Sequence, residues 1–169
     1  MNIIIVAGTR PNFIKIAPII NELKRNHTTI SFQLVHTGQH YNDSLNDIFF
    51  KELNIQTPDI NLNCGSGTHA EQTSAIMIGF EKYLMTNNAE LILVVGDVNS
   101  TLACGIVAKK MNRQLLHVEA GIRSFDLSMP EEINRLLTDA ITDQFFTTSE
   151  IANNNLIASG ISKIGRAHV

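Results

Sequence analysis

The stretch from His117 to Arg135, HVEAGIRSFDLSMPEEINR, gathers carboxylates and two arginines into a segment that begins as a strand and ends as a helix. Carboxylates can move protons and guanidiniums can hold anions, so chemistry is expected here first. Leu115 to Val118 is a short apolar run, Gly121 breaks it, and Pro130 followed by Glu131 and Glu132 reads as the first turn of a helix. Glu119 then falls where a strand ends. In open α/β sheets the crevice at the carboxyl ends of the strands is where ligands bind, which places Glu119 for function. Glu131 and Glu132 have a plainer alternative, since acidic residues in a first turn commonly complement the helix dipole.

Two other turns carry residues of the same kind. Asn2 to Ala7, NIIIVA, is a β-branched run suited to a strand buried on both faces, and the turn Gly8-Thr9-Arg10-Pro11 follows it. Phe13, Ile16, Ala17, Ile20 and Leu23 then recur at helical steps, with Pro18 inside the pattern as an expected kink or stop. A strand, a glycine turn and a helix amino terminus make an anion site, to which Arg10 and Lys15 add charge, so a phosphate-bearing ligand would fit there. The turn is neither G-x-G-x-x-G nor a Walker loop, so no dinucleotide or ATP reading follows. For Lys15 a solvated helix face is the commoner fate. The second turn follows Leu91 to Val95, LILVV, where Asp97 in Gly96-Asp97-Val98-Asn99-Ser100 is another carboxylate at a strand's end. Taken alone, Asp97 would be a cap or turn former.

The elements that position these residues alternate along the chain. Ile30 to Thr37 reads as a strand ending in Gly38-Gln39-His40, where His40 is either a ligand group or, more commonly, a surface histidine. Asn42 to Leu53 has helical spacing, and TPDINLNCGSGT after Gln56 reads as loop. Thr68 with Glu71 forms a capping box for a helix running to about Met85; further helices are expected over Thr101 to Met111 and Glu150 to Ser159, with a strand at Gln144 to Thr147. Strands alternating with helices predict an α/β fold, a Rossmann-like doubly wound parallel sheet with right-handed crossovers.

At 169 residues with 44% hydrophobic content, the chain is long enough for one such domain and too short for two. Its net charge of −3 comes from 13 scattered basic residues against 16 acidic ones, which offers nucleic acid or an anionic membrane no footprint. Cys64 and Cys104 have neither metal-ligand nor disulfide-framework spacing and read as reduced thiols, so no metal is expected. With no basic leader and no apolar run of membrane-spanning length, the chain is expected to be soluble and cytoplasmic.

With GTRPNFIKIAPII, GDVNSTLA and HVEAGIRSFDLSMPEEINR in this order, the chain resembles the amino-terminal half of the non-hydrolysing UDP-N-acetylglucosamine 2-epimerases, from Met1 to about Ile164. The resemblance implies a GT-B-like architecture of two Rossmann-like domains, with residues 1–164 forming the first and the UDP-gripping second domain not present here. It implies epimerisation at C2 of UDP-N-acetylglucosamine to UDP-N-acetylmannosamine, through elimination of UDP and its re-addition. No cofactor is implied. Asp97, Glu119 and Glu132 then stand at catalytic positions, and Arg10, Lys15, His117 and Arg123 at substrate-binding ones. Gln39 and His40 resemble a loop that serves a regulatory site in some bacterial members, although the sequence around them departs from that pattern. A homodimer formed mainly through the first domain is implied for the full-length family, in the service of cell-surface polysaccharide biosynthesis. The hydrolysing relative, which releases N-acetylmannosamine and UDP, a GT-B glycosyltransferase sharing the fold and nucleotide-sugar cleft, and a non-catalytic single-domain module are the alternatives. The last residues depart from the family: IGRAHV, from Ile164 on, reads as translated sequencing adapter, and 165–169 are expected to be an artefactual tail.

Overall fold

Runs of isoleucine, leucine and valine flanked by turn formers become the inner strands because both their faces can be buried. The computed structural model describes residues 1–26, 29–38 and 47–161. Gln39, His40 and the expected artefactual tail lie outside the described residues. Six strands, β1 (Asn2–Ala7), β2 (Ser31–His36), β3 (Ile60–Asn61), β4 (Leu91–Val95), β5 (Gln114–Val118) and β6 (Gln144–Phe146), form one parallel sheet in the order β3-β2-β1-β4-β5-β6. Helices α1 (Arg10–Asn26), α2 (Asp47–Glu52), α3 (His69–Thr86), α4 (Asn99–Lys110), α5 (Pro130–Ile141) and α6 (Glu150–Ala158) alternate with them. The strand order reverses direction between β1 and β4, the switch point at which such sheets bind ligands.

Alternation along the strands divides the core into two layers. Ile3, Ile5, Leu93 and Val95 pack with Phe13, Ile16 and Ile20 of α1, and with Phe49 and Phe50 of α2. On the other face Ile4, Val6, Ile92 and Val94 pack with Ile76, Phe80 and Leu84 of α3, and with Ala103 and Val107 of α4. Successive side chains thus leave opposite faces of the sheet, as strand geometry requires.

Most expected elements are present, with two differences. Helix α1 runs through Pro18 to Asn26 instead of stopping there. Pro18 and Ile14 are both on the exposed side, so the Ile14 carbonyl that loses its helical partner can be hydrated. The segment read as loop contains β3, whose Ile60 and Asn61 pair with Val35 and His36 at the free edge of β2. A two-residue strand has no period of its own. The capping box at α3 forms as expected, with Thr68 Oγ1 accepting from Glu71 N and Glu71 Oε2 accepting from Thr68 N.

Gly121, the glycine that ends β5, has φ +80°, and a Cβ there would lie 2.3 Å from the carbonyl oxygen of Ala152 on α6. Both the backbone angle and the space exclude a side chain. Gly121→Ala is therefore expected to destabilise the fold by roughly 2 to 5 kcal/mol, combining the left-handed backbone cost with overpacking. Urea unfolding of the two proteins measures it, and a change below about 0.5 kcal/mol would show the contact to be unimportant.

Candidate active site

Parallel pairing brings three turns to one edge. Ala7, Val95 and Val118 end β1, β4 and β5, so Gly8 to Pro11, Gly96 to Asn99 and Glu119 to Gly121 open on the same side of the sheet. Asn12 binds two of these turns together: its Oδ1 accepts from Gly8 N, Thr9 N and Thr9 Oγ1, each at 3.1 Å, and its Nδ2 donates to Val95 O at 3.3 Å. Gly96 N donates to Val118 O at 3.0 Å and joins the third.

Lys15, in the second turn of α1, reaches across this edge and forms an ion pair with Glu119 Oε2. The two side chains remain 38% and 22% exposed, so a ligand could still reach both. Beneath them lies Gly96, where a Cβ would sit 3.3 Å from Glu119 Oε2, 3.4 Å from Asn12 Nδ2 and 3.5 Å from Lys15 Nζ. Glu119 itself has φ 72°, a left-handed conformation that costs a non-glycine residue about 1 to 2 kcal/mol. Its N–H and that of Ala120 both donate to Phe146 O, at 2.9 and 3.1 Å, which holds the strained backbone in place. Strain of this kind gathers at functional sites.

Asp97 and Glu132 are linked through a residue not singled out from the sequence. Arg135 donates from Nε to Asp97 Oδ2 at 2.9 Å and from NH1 to Glu132 Oε2 at 2.6 Å. Asp97 is 32% exposed and faces the edge, whereas Glu132 is 1% exposed. The Glu132 carboxylate also accepts from Ser124 N at 2.9 Å and Phe125 N at 3.1 Å. Glu132 therefore pins the loop before α5. Burial pushes its carboxyl up, but the two amides and Arg135 outweigh burial and hold it below its ordinary value. Asn134 Nδ2 completes the link by donating to Asp97 O at 2.8 Å.

His117 and Arg123 lie inside the protein rather than at the open edge. Asp139 Oδ1 contacts His117 Nδ1 at 2.7 Å, and Asp139 Oδ2 contacts Arg123 NH1 at 2.6 Å and Gly121 N at 3.1 Å. None of the three side chains exceeds 3% exposure. Burial raises the Asp139 carboxyl, yet hydrogen bonds and charge from His117 and Arg123 outweigh it and leave it below its ordinary value. Arg10 stands at the rim, its guanidinium 4.8 Å from the centre of the Phe49 ring. Of the expected site residues, then, Arg10, Lys15, Asp97 and Glu119 share the open edge, while His117, Arg123 and Glu132 support it from within. Gln39 and His40 lie outside the described residues. No group of three or more His, Cys, Asp and Glu among the described residues is placed to hold a metal ion.

Asn12, Arg135 and Asp139 escaped sequence reasoning, although two of them left a trace. Glu132, Arg135 and Asp139 recur at steps of three and four, which puts them on one face of α5, while Ile133 and Leu137 are 44% and 49% exposed on another. A helix with its charges turned inward needs partners on that side, and Asp97 at the edge and His117 and Arg123 within are those partners.

In comparisons with known proteins, residues 21–165 match the family described as UDP-N-acetylglucosamine 2-epimerase. A UDP-N-acetylglucosamine 2-epimerase of Methanocaldococcus jannaschii is 48% identical over 163 residues, 96% of this chain and 44% of that relative. The crystal structure of the Methanocaldococcus jannaschii UDP-GlcNAc 2-epimerase in complex with UDP-GlcNAc and UDP is similar at a TM-score of 0.92 and 47% identity, over 98% of this chain and 46% of that one. MurG of Acinetobacter baumannii, 11% identical at a TM-score of 0.58 over 87% of this chain and 40% of its own, shares the fold alone. The chain thus spans about half the length of the proteins it matches, and its sheet corresponds to one Rossmann-like half of a GT-B architecture.

Because Glu132 and Asp139 are held low in the folded state, they contribute stability above their unfolded-state values, near pH 4, and that contribution is lost as the pH falls through their folded-state values. The urea midpoint is expected to fall below about pH 4 as these carboxylates protonate, while His36, whose imidazole burial holds below its ordinary value, already lowers it as the pH drops below about 6.5. Asp139→Asn is expected to be less stable at pH 7 and to lose less on acidification. Equal acid sensitivity in the two proteins would show that Asp139 carries no such linkage.

Proposed function

The chain belongs to the UDP-N-acetylglucosamine 2-epimerase family, and from that premise we propose that it forms the proton-transfer side of an enzyme interconverting UDP-N-acetylglucosamine and UDP-N-acetylmannosamine. The supporting observation is that Asp97 and Glu119 stand at the carboxyl ends of neighbouring strands, on the edge where Lys15 and the amino end of α1 also open. The C2 proton of the sugar is not next to a carbonyl, so its removal must accompany cleavage of the anomeric C–O bond. That calls for a positioned base and for positive charge near the departing diphosphate. In this reading Asp97 and Glu119 carry the proton transfers at C2 between them. Lys15, Arg10 and the α1 amino terminus attract the diphosphate. UDP leaves to give a 2-acetamidoglucal and adds back after the proton returns to the opposite face. Glu132 acts through Arg135, which fixes Asp97. No cofactor enters the scheme.

The same reading places the enzyme in the cytoplasm, supplying nucleotide sugar for cell-surface polysaccharide, and makes it a homodimer. Ile78 and Met85 on α3, at 55% and 72% exposure, offer apolar side chains for that contact. Sedimentation of the chain at high concentration is expected to show self-association, and a strict monomer would count against it.

The activity is tested by incubating the full-length protein that carries this segment with UDP-N-acetylglucosamine in deuterated water and following C2 by NMR. Deuterium is expected at C2 of a UDP-linked product. Asp97→Asn and Glu119→Gln are each expected to slow incorporation by roughly 10²-fold to 10⁴-fold. Free N-acetylmannosamine as the main product would assign the hydrolysing reaction instead. The 169-residue chain alone is expected to catalyse no exchange. Positioning supplies about 7 to 11 kcal/mol in well-oriented reactions, and this chain spans only about half of what its relatives use. Exchange by the short chain would show that one half suffices.

A further inference from the structure

His117 is fully buried, two residues before Glu119 on β5, and both its ring nitrogens are engaged. Nε2 lies 2.8 Å from Gly96 O and Nδ1 lies 2.7 Å from Asp139 Oδ1. A peptide carbonyl can only accept, so Nε2 carries a hydrogen and donates it to Gly96. Asp139 fixes the ring from behind. It is itself anchored on α5 and takes Arg123 NH1 and Gly121 N with its second oxygen. One buried carboxylate and one imidazole thereby tie the turn after β4, the turn after β5 and helix α5 to each other.

The point at which this tie meets the site is Gly96. Its carbonyl leads directly into Asp97, and its Cα backs onto Glu119, Asn12 and Lys15 within 3.3 to 3.5 Å of where a Cβ would stand. A shift of the Gly96 peptide moves Asp97 along the chain and alters the floor under Glu119 at the same time. Gly96 N is already committed to Val118 O, so His117 supplies the second of two bonds, one on each side of this residue, that fix its orientation. Gly96 also has φ +68°, in the left-handed region, so the turn relies on such contacts to keep its shape.

We propose that His117 is a positioning residue for the proton-transferring carboxylates: oriented by Asp139, it holds the Gly96 peptide so that Asp97 and Glu119 keep their places at the sheet edge. The proposal rests on the function assigned above and adds to it that the Nε2 bond to Gly96, rather than the Nδ1 contact with Asp139 or the bulk of the ring, carries the effect. A group that merely filled space or paired Asp139 would act through stability alone.

Two substitutions separate these roles, because the amide nitrogen of glutamine reaches about as far as Nε2 and that of asparagine about as far as Nδ1. His117→Gln keeps a donor for Gly96 O, whereas His117→Asn keeps one for Asp139. In the full-length protein, H117Q is expected to retain about a tenth of kcat and H117N about a hundredth, with KM for UDP-N-acetylglucosamine changed less than about threefold in both, since misplacement by about 1 Å can cost that much. In the 169-residue chain, the amide NMR resonances of Asp97 and Glu119 are expected to move more in H117N than in H117Q. Equal losses of kcat, a smaller loss in H117N, or losses that follow melting temperature would overturn the proposal. If H117N does not fold, a folded H117Q with kcat down a hundredfold or more overturns it. If the wild-type full-length protein exchanges no C2 proton, the assigned function fails while the resonance comparison still decides whether His117 orients this turn.

Discussion

The register of β4 against β5, with Val94 opposite His117 and Val95 opposite Val118, is the constraint on which the site depends. A slip of one residue would reverse every side chain on β5 and carry His117 from the interior between the helices to the opposite face. The register is secured because both strands are buried on both faces, so a slip would expose or misplace Val94, Leu115 and Leu116 together. Parallel strands that end in step also send their following turns out on one side, so Gly96 and Glu119 must meet. Burial of hydrocarbon, with no directional preference of its own, thus fixes a polar arrangement.

On that floor the charged groups fall into two layers with different physics. Lys15, Arg10, Asp97 and Glu119 are at the opening, where water screens them and a ligand can compete for them. Glu132, Arg123, Asp139 and His117 lie below, almost without exposure, with the half-buried Arg135 between the two layers. Buried ions cost several kcal/mol each to desolvate, and the cost is met here because their oxygens and N–H groups are matched among side chains and loop amides. Such a layer is poor at stabilising a fold compared with packed hydrocarbon, and good at specifying one geometry. The strained backbone at Glu119 and at Phe125, with φ 60°, persists above it because the amides beside them are held by Phe146 O and by Glu132.

The inverted helix α5 shows how far local sequence could be read. Its start was legible from Pro130 and the two acids, since proline loses nothing at a position whose N–H has no helical partner. That Glu132 would turn inward, while Ile133 and Leu137 faced out, went against the usual pattern in which apolar residues mark the buried stripe. The reason lies in other elements: Asp97, Arg123 and His117 come from the turns and strands beside α5 and offer it charges to match. Likewise Lys15 looked like a solvated lysine until Glu119, 104 residues away in the chain, was brought beside it.

What the amino-acid order determined by itself was the set of strands and helices whose periodicity or caps are local. From β1, β4 and β5 as apolar runs, and from the alternation with α1, α3 and α4, came the doubly wound parallel sheet. From the position of Asp97 and Glu119 directly after two of those strands came their place at one edge. Tertiary structure alone decided the rest: that β3 exists, because β2 has a free edge; that Asn12 ties two turns, because Val95 lies beside it; and that His117, Arg123 and Glu132 are buried against partners from other elements. These depend on contacts between residues far apart in the chain, and a side chain's charge does not say whether it will find its partner in water or in another element.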